Sequence, residues 1–301
     1  MHWDKTLRRS TVIFSIAMIC VFLACTKKQG ARTIIQNKGS DTLVNVAQAW
    51  AERYHQVNQK VSIAVTGGGS GIGIAALING TVDIANASRS IKPEEAQKAK
   101  QNTGKDAVLH VVALDAIAVI VSKDNPIKDI SIEELQCIWG EGGACSKWSD
   151  VRNINVPGCA NNEIVRVSRQ SNSGTYQYFR EAILGERRDF KLGSRDMHGS
   201  KDVVDLVEKT VCAISYTGMG YLSPNVRALC ISKKRGQPCV EPTPQTALNR
   251  TYPIARELYM YTLGEPTGEI KAYLDWVRAP EGQKIVNELG YVSIAPPPKA
   301  E

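Results

Sequence analysis

The sequence predicts an α/β protein whose strands pair mainly in parallel, and three observations carry this prediction. Short apolar segments with alternating side chains are separated by segments in which apolar residues recur at helical spacing. A glycine-rich turn in "VSIAVTGGGSG" leads directly from one such strand into a helix. An apolar run at 107–122 is long enough to be a central or crossover strand. Strands that alternate with helices are typical of sheets with parallel pairing.

The first half of the chain predicts three short strands, two helices and the long strand. The short strands are expected at 33–36, 61–66 and 82–88, and the helices at 43–57 and 71–79. Asn79 and Gly80 end the second helix in this prediction, because both residue types tolerate the positive φ that is common after a helix.

The second half predicts helices at 131–138 and 175–184, buried strands at 211–218 and 252–262, and two helices within 267–290 separated at Pro280. Residues 223–250 are rich in Pro, Lys and Arg, which predicts a surface loop or hairpin. A chain of 301 residues can form one large domain or two lobes. Without a long linker, two lobes must be joined by short crossings, for which 111–121 and 252–262 are the candidates.

The N-terminus has the pattern of an export signal. Lys5, Arg8 and Arg9 precede an apolar run at 11–24 that is short for a membrane span. The run ends in "VFLAC", which predicts a signal peptide over 1–24, of the lipoprotein type, with Cys25 as the lipidated residue. Plain secretion with cleavage nearby is the alternative. Both readings place the rest of the chain outside the cytoplasm.

Cysteine usage indicates an oxidising compartment, since six of the eight cysteines follow the signal peptide and the lipidation candidate Cys25. Cys230 and Cys239 flank a short turn-rich segment, and Cys137 and Cys145 flank another, so both pairs are disulfide candidates. A zinc site is disfavoured, because no two cysteines are two to four residues apart and no histidine is near them. The spacing leaves the pairing open.

Three predicted helix starts carry small residues and hydroxyls: "GSDTL" at 39–43, "GGGSG" at 67–71 and "SNSGT" at 171–175. The first turn of a helix has N–H groups without intrahelical partners, and the helix dipole places positive potential behind them. Such an end binds an anion readily, and Arg169 lies just before the third start. The net charge of +7 also fits an anionic partner.

Nucleotide and hydrolase motifs fail at these positions. No lysine follows the glycines, so there is no P-loop, and Ile72 stands where a dinucleotide fingerprint needs glycine. Ile72 also replaces the last glycine of a nucleophile elbow around Ser70, and zinc hydrolase motifs are missing. The residues therefore predict binding of a small anion rather than catalysis, with no metal, cofactor or nucleic acid.

Several segments together resemble a known family. "GSDTLVNVAQAWAERYHQ", "VTGGGSGIGIAALINGTVDIANASRSIKPEE", "SRQSNSGTYQYFREAIL", "VCAISYTGMGYL", "YPIARELYMYT" and "APEGQKIVNELGYVSI" resemble, in order and spacing, the periplasmic phosphate-binding proteins of bacterial ABC phosphate importers. The resemblance covers 33–295, and its most specific element is Arg169 placed four residues before Ser173-Gly174-Thr175.

The resemblance implies a two-lobed periplasmic binding fold of type II-like arrangement, each lobe with a mainly parallel sheet between helices. Lobe 1 would comprise 33–112 and 258–295 and lobe 2 would comprise 113–257, with two crossover strands as the hinge and a disordered tail at 296–301. It further implies a monomer, lipid-anchored in the periplasm or cell envelope, that binds inorganic phosphate and delivers it to an ABC permease in the cytoplasmic membrane.

The resemblance also implies a set of phosphate-binding residues. Hydroxyls and main-chain N–H groups of two lobes would surround the ion, and one arginine would clamp it. The implied residues are Thr42, Leu43, Ser70, Gly71, Arg169, Ser173, Gly174 and Thr175, with Ser40 as a further candidate.

One position departs from the family. Well-known members carry an aspartate that accepts a phosphate proton after the strand that here reads "VDIANAS", and this sequence has Arg89 there. Arg89 is either a structural ion-pair or surface residue, or a second phosphate clamp. Asp41 is the replacement candidate for the proton acceptor, with Asp83 as an alternative. Sulfate, molybdate or arsenate binding, a secreted phosphatase and an adhesion or sensor module remain alternatives.

Overall fold

The structure is a computed structural model that describes residues 32–294, so the expected signal peptide, Cys25 and the tail at 296–301 lie outside the described residues. The strands are β1 Thr33–Gly39, β2 Val61–Thr66, β3 Ile84–Ala87, β4 Ala107–Ser122, β5 Asp129–Ser131, β6 Val165–Arg169, β7 Arg195–Met197, β8 Ala213–Gly218, β9 Val226–Ala228, β10 Cys230–Ser232 and β11 Ala255–Leu263. Nine of them form one sheet with the order β2-β1-β3-β11-β4-β8-β6-β7, in which β9 also pairs with β4. β5 and β10 form a separate two-stranded sheet.

Helices cover this sheet. Those expected at 43–57, 71–79, 131–138, 175–184 and within 267–290 are present, and four further helices were not predicted from the sequence. The helices are α1 Val44–Val57, α2 Ser70–Ile78, α3 Pro93–Thr103, α4 Ile132–Trp139, α5 Trp148–Arg152, α6 Gly174–Leu184, α7 Ser200–Glu208, α8 Pro244–Leu248, α9 Gly268–Arg278 and α10 Pro280–Glu288. In α1, for example, Val46, Trp50 and Tyr54 repeat at helical spacing and are buried, so one face packs into the core. No helix within 32–294 combines the length and apolar character needed to cross a membrane.

Pairing in the sheet is parallel towards its ends and antiparallel at its centre. β1 pairs with β3, and β6 with β7 and β8, in parallel. β4 and β11 are antiparallel to each other, and β4 is also antiparallel to β8 and β9. The α/β class is confirmed, and the antiparallel centre arises because two long strands cross the molecule side by side.

The hydrophobic core changes composition along these two crossing strands. Val112 and Ala113 of β4 and Leu258 of β11 pack in a core with α1 and α9. Ala116 and the residues after it pack in cores with α4, α6 and α7. A two-lobed arrangement is therefore built on β4 and β11, whereas the residue boundaries of the lobes remain a prediction.

The structure contains three disulfides. Cys137 is bonded to Cys145 and Cys230 to Cys239, which are the two pairs suggested by spacing. The third disulfide, Cys159–Cys212, joins positions 53 residues apart, a pairing that spacing left open. All three lie in the part of the chain that follows the first crossing strand.

Residues 223–250 are more ordered than a surface loop. Ile231 and Val240 exchange N–H to C=O hydrogen bonds of 2.8 Å, so the hairpin alternative is correct around the Cys230–Cys239 disulfide. The loop prediction is wrong for β9, β10 and α8, because β9 pairs with β4 and β10 with β5. These pairings join segments far apart in sequence, which composition does not reveal.

Candidate functional site

The structure brings the three predicted helix starts together at one place. The Thr42 hydroxyl, before α1, lies 2.7 Å from the Thr175 hydroxyl at the start of α6. The Gly71 N–H donates to the Asn172 carbonyl over 2.9 Å, and the Asn172 side-chain amide donates to the Gly68 carbonyl over 3.0 Å. The turns before α2 and α6 are therefore in direct contact, although they are about a hundred residues apart in the chain.

Glycine conformation shapes the turn before α2. Gly68 and Gly69 have φ values of 115° and 95°, a region that L-residues with a Cβ rarely occupy. A Cβ on Gly69 would also lie 2.7 Å from the Asn172 carbonyl oxygen. These glycines allow the turn to approach the "SNSGT" segment closely.

The centre of the site is a cluster of four hydroxyls, those of Thr42, Ser70, Ser88 and Thr175, each at most 1% exposed. Ser70 Oγ lies 3.2 Å from Ser88 Oγ and accepts a 3.0 Å hydrogen bond from the Ser88 N–H. Gly174 closes this cluster, because a Cβ there would overlap Ser70 Oγ and lie 2.6 Å from Ser88 Oγ. Ser88 was not identified from the sequence.

Main-chain donors surround the same cluster. Ser70 is the first residue of α2, and Gly174 and Thr175 are the first two of α6, so their N–H groups have no acceptor within their helices. The Ser173 hydroxyl caps α6 by accepting a 3.3 Å hydrogen bond from the Tyr176 N–H, and its own hydrogen remains available to donate. Together these groups favour a compact oxyanion.

Arg169 lies at the edge of the cluster with its side chain 1% exposed. Its guanidinium donates to Asp41 Oδ2 over 3.0 Å, to the Ser200 hydroxyl over 2.9 Å and to the His198 carbonyl over 3.1 and 2.7 Å. Asp41 Oδ1 accepts a 2.8 Å hydrogen bond from the Gly68 N–H. Burial lowers the pKa of Arg169, and the nearby Asp41 carboxylate opposes this effect.

A second buried arginine, Arg256, reaches the cluster from β11 and was not identified from the sequence. Its Nε and Nη2 atoms donate to Asp115 Oδ2 of β4 over 3.0 and 2.7 Å. Nη2 also lies 3.1 Å from the Thr175 hydroxyl and 3.4 Å from the Thr42 hydroxyl. Asp115 is fully buried, and burial raises its pKa while Arg256 and the Met219 N–H partly counter the rise.

A signal for this pair exists in the sequence. Asp115 is the only charged residue in the apolar run at 107–122, and Arg256 lies within the other predicted crossing strand. Because a buried charge requires a partner, two opposite charges in two neighbouring buried strands could have been matched.

Arg89 is held in an ion pair with Glu95. Its guanidinium donates to both carboxylate oxygens of Glu95 over 2.8 and 2.7 Å and to the Ser90 carbonyl over 2.8 Å. Burial alone would raise the pKa of Glu95, but its hydrogen bonds to Arg89 and the Lys92 N–H lower it overall. These contacts favour the structural alternative for Arg89, an ion pair at the start of α3, and the second-clamp hypothesis stays a prediction.

Two main-chain donors implied by the resemblance are used within the protein. The Leu43 N–H donates to the Ser40 carbonyl over 3.1 Å, while the Leu43 side chain is buried in the core. The Gly71 N–H donates to Asn172. The Ser40 hydroxyl is buried without a partner among the described residues. Asp83, the alternative to Asp41 as proton acceptor, accepts a hydrogen bond from the Gln36 N–H, which favours a structural role. The roles of Leu43 and Gly71 as ligand donors stay predictions, and in this structure both N–H groups have partners within the protein.

The described residues contain no group of three or more His, Cys, Asp and Glu side chains that could hold a metal ion. The potential ligand-binding groups are hydroxyls, main-chain N–H groups and two arginines, each arginine paired with one aspartate. Such a set can bind an oxyanion through many hydrogen bonds, and the two aspartates keep the net positive charge of the site low.

Comparison with known proteins agrees with this description. A phosphate-binding protein named PstS from Pseudomonas aeruginosa is 34% identical over 276 residues, which cover 89% of this chain and 85% of that protein. A phosphate-binding protein PstS from Bacillus subtilis is 30% identical over 270 residues, covering 89% of this chain and 82% of its own length.

Among solved structures, a Clostridium perfringens protein described as a phosphate ABC transporter substrate-binding protein, with bound phosphate, superposes with a TM-score of 0.76. It is 28% identical, and the match covers 87% of this chain and all of that one. An ABC-type phosphate transport receptor from Vibrio cholerae has a TM-score of 0.67 at 25% identity, with 86% of this chain and all of that one covered.

The family description "PBP superfamily domain" matches residues 26–281, which is most of the chain. Similarity to the PstS proteins extends over the same segments that form the crossing strands and the three helix starts. The chain therefore belongs to the PBP superfamily.

Proposed function

We propose that this protein binds inorganic phosphate outside the cytoplasm and delivers it to an ABC-type permease for import. The observation that carries the proposal is the convergence of three helix starts on four buried hydroxyls beside a buried arginine. Relatives that share this fold are named phosphate-binding proteins, and one solved neighbour contains phosphate.

The chemistry of the site suits a tetrahedral oxyanion. Ser70, Ser173 and one hydroxyl of the Thr42–Thr175 pair supply donors from different directions, and the first-turn N–H groups of α2 and α6 add main-chain donors. Arg169 supplies a positive charge next to them. Most of the binding is then carried by neutral dipoles in a buried place, where hydrogen bonds to an ion are strong.

Asp41 is the proposed acceptor for the hydrogen of bound phosphate. It lies between Arg169 and the turn before α2, with its two oxygens each accepting one hydrogen bond from the protein. A carboxylate oxygen can accept a further hydrogen bond, which a protonated phosphate supplies and sulfate does not. This arrangement would distinguish phosphate from other oxyanions.

Binding is coupled to lobe closure in this proposal. With lobe 1 at 33–112 and 258–295 and lobe 2 at 113–257, the Thr42–Thr175 and Gly71–Asn172 contacts connect opposite lobes. A ligand held from both sides stabilises the closed arrangement over an open one. The permease would then recognise the closed form.

The cellular setting belongs to the same proposal. The protein would act as a monomeric binding component, not an enzyme, anchored to the envelope by a lipid on Cys25. Relatives are substrate-binding components of transport systems, which supports the transport role. Metabolic labelling with a radioactive fatty acid tests the anchor, since Cys25→Ser should abolish the label if lipidation occurs there.

Calorimetric titration of the purified protein with phosphate and with sulfate from pH 5 to pH 9 tests the function. We expect saturable binding of phosphate at a 1:1 ratio and much weaker binding of sulfate. Tighter binding of sulfate, molybdate or arsenate would contradict the choice of ligand. Turnover of p-nitrophenyl phosphate by the same preparation would contradict a purely binding role.

A further inference from the structure

Arg256 hydrogen-bonds to three of the four residues of the hydroxyl cluster, Thr42, Ser88 and Thr175. It is connected to the fourth, Ser70 of α2, through Ser88. Nη1 donates to the Ser88 carbonyl over 2.9 Å, and Ser88 in turn hydrogen-bonds with Ser70. Nη2 contacts the hydroxyl oxygens of Thr42 and Thr175, which come from opposite sides of the site. The guanidinium is therefore a common support behind the hydroxyls.

Hydrogen bonds from Arg256 to the Thr42 and Thr175 oxygens restrict how these two hydroxyls can bind a ligand. A hydroxyl oxygen that accepts a hydrogen bond still has its own hydrogen to donate. Nη2 has two hydrogens and three acceptors, so the longer contact to Thr42 shares a hydrogen with a nearer acceptor. The Thr42 and Thr175 hydroxyls are 2.7 Å apart, so one of them donates its hydrogen to the other. The second hydroxyl accepts from that partner and from Arg256, and its own hydrogen is left for a ligand.

Asp115 determines the net charge behind the hydroxyls. Register pairs Arg256 directly with Asp115 across β11 and β4, and both side chains are at most 1% exposed. A Cβ on Gly218 would lie 2.9 Å from Asp115 Oδ2 and 3.1 Å from the Thr42 methyl group, so the carboxylate is close to the cluster. Its negative charge offsets the positive charge of Arg256 at short range, where the Coulomb interaction with a ligand is strong.

We propose that the Asp115–Arg256 pair is a specificity-determining element of the anion site. Arg256 orients the hydrogen-bonded Thr42 and Thr175 hydroxyls so that the pair presents one donor to a ligand. Asp115 cancels the charge of Arg256, so that a doubly charged oxyanion gains no advantage over a singly charged one. This inference rests on the proposed phosphate-binding function.

The test uses calorimetric titration with phosphate and sulfate on the mature chain and three variants at pH 5, where free phosphate is mainly a monoanion and sulfate is a dianion. Arg256→Gln removes the donor charge, and Asp115→Asn leaves the charge of Arg256 uncompensated. Asp115→Leu combined with Arg256→Met removes both charges without leaving one buried alone, so it folds even where a single change does not. Thermal unfolding of every variant accompanies the titrations.

We expect Arg256→Gln and the double variant to bind phosphate about tenfold or more weakly. The reason is that the hydrogen bonds from the Arg256 guanidinium, which orient the Thr42–Thr175 hydroxyl pair, are lost. Asp115→Asn should shift the sulfate-to-phosphate affinity ratio towards sulfate by about tenfold, because the extra positive charge favours the dianion. A merely structural role would lower thermal stability without moving this ratio.

The Arg152–Glu134 ion pair provides a matched control. It is largely buried, with donor–acceptor distances of 2.9 Å, and Glu134 caps the start of α4 through Ser131. Arg152→Gln should reduce stability and leave both affinities unchanged. A double variant of Asp115 and Arg256 that folds and keeps wild-type affinities for both ions would overturn the inference. Absence of phosphate binding by the wild-type chain would instead contradict the proposed function.

Discussion

The two arginine–aspartate pairs beside the hydroxyl cluster differ in how they are held. Arg169 and Asp41 come from chain segments at the ends of strands, and most of the hydrogen bonds of Arg169 go to the His198 carbonyl and the Ser200 hydroxyl. Arg256 and Asp115 are paired by register inside two regular strands, and the remaining side-chain hydrogen bonds of Arg256 go to Ser88, Thr42 and Thr175.

This difference separates two ways in which a buried charge can serve a binding site. Arg169 is positioned by groups outside the cluster, so its charge can be presented to a ligand directly. Arg256 is positioned by the sheet and acts through hydroxyls that contact the ligand in its place. Arg169 would attract the anion by its charge, whereas Arg256 would set the direction in which a threonine hydroxyl donates to the anion.

Removal of Arg169 should have the largest effect on binding. Arg169→Ala is expected to weaken phosphate binding by at least about 100-fold, because loss of a buried charge that hydrogen-bonds an anion costs about 3 kcal/mol or more. Arg166→Ala is the matched control, since Arg166 lies on the same strand and donates to the Leu192 carbonyl. Titration calorimetry checks both variants, and equal affinities would refute the direct role of Arg169.

A methyl group at Gly174 should have the next largest effect, because it enters the hydroxyl cluster that Arg256 supports. Gly174→Ala would overlap Ser70 Oγ, and overpacking of about 2 kcal/mol corresponds to about 30-fold weaker phosphate binding. Thermal stability without ligand should change little if the lobes open to relieve the overlap. Glu181→Ala, on the exposed part of the same helix, is the control and should bind normally.

Neutralisation of Asp41 sharpens the comparison of the two carboxylates. Asp41→Asn is expected to reduce the preference for phosphate over sulfate by about tenfold, because an acceptor for the phosphate hydrogen is lost. Competition binding of the two ions at pH 7 measures this preference. Unchanged phosphate affinity together with unchanged discrimination would eliminate Asp41 as the proton acceptor.

The smallest effect on binding is expected at the Arg89–Glu95 pair, which lies outside the cluster. Glu95→Gln should leave phosphate affinity unchanged and lower the free energy of unfolding by about 1 kcal/mol at pH 7. The folded-state pKa of Glu95 is lowered, so its stabilisation is present above its ordinary pKa and is lost as pH falls through the folded-state value. Urea unfolding should show a smaller difference between wild type and variant at pH 3 than at pH 7.

Much of the site could be predicted because its residues lie in short continuous segments. Ser70, Ser173, Gly174 and Thr175 follow strands and begin helices, and this local order places hydroxyls and N–H groups at strand ends. Arg169 was implied by its distance from the third helix start. The nearest partners of Arg89 are also local, yet the choice between Glu95 and a ligand required the position of α3.

The remaining site residues depend on contacts between distant segments. Asp115 and Arg256 are 141 residues apart in the chain, and their pairing follows from the register of β4 against β11. The hydrogen bond from the Gly71 N–H to the Asn172 carbonyl likewise depends on how closely the turns before α2 and α6 approach each other. Neither register nor approach is encoded in the spacing of residues within one segment.

Local patterns in the sequence were enough to predict the α/β class, the three helix starts and the arginine beside the third start, and to suggest two disulfide pairs, because periodicity, glycine placement and short loops are local properties. Which charges lie next to the hydroxyls depends on contacts between distant segments of the chain. Burial makes a charge without a partner costly, and the strand register placed Asp115, not a ligand, opposite Arg256.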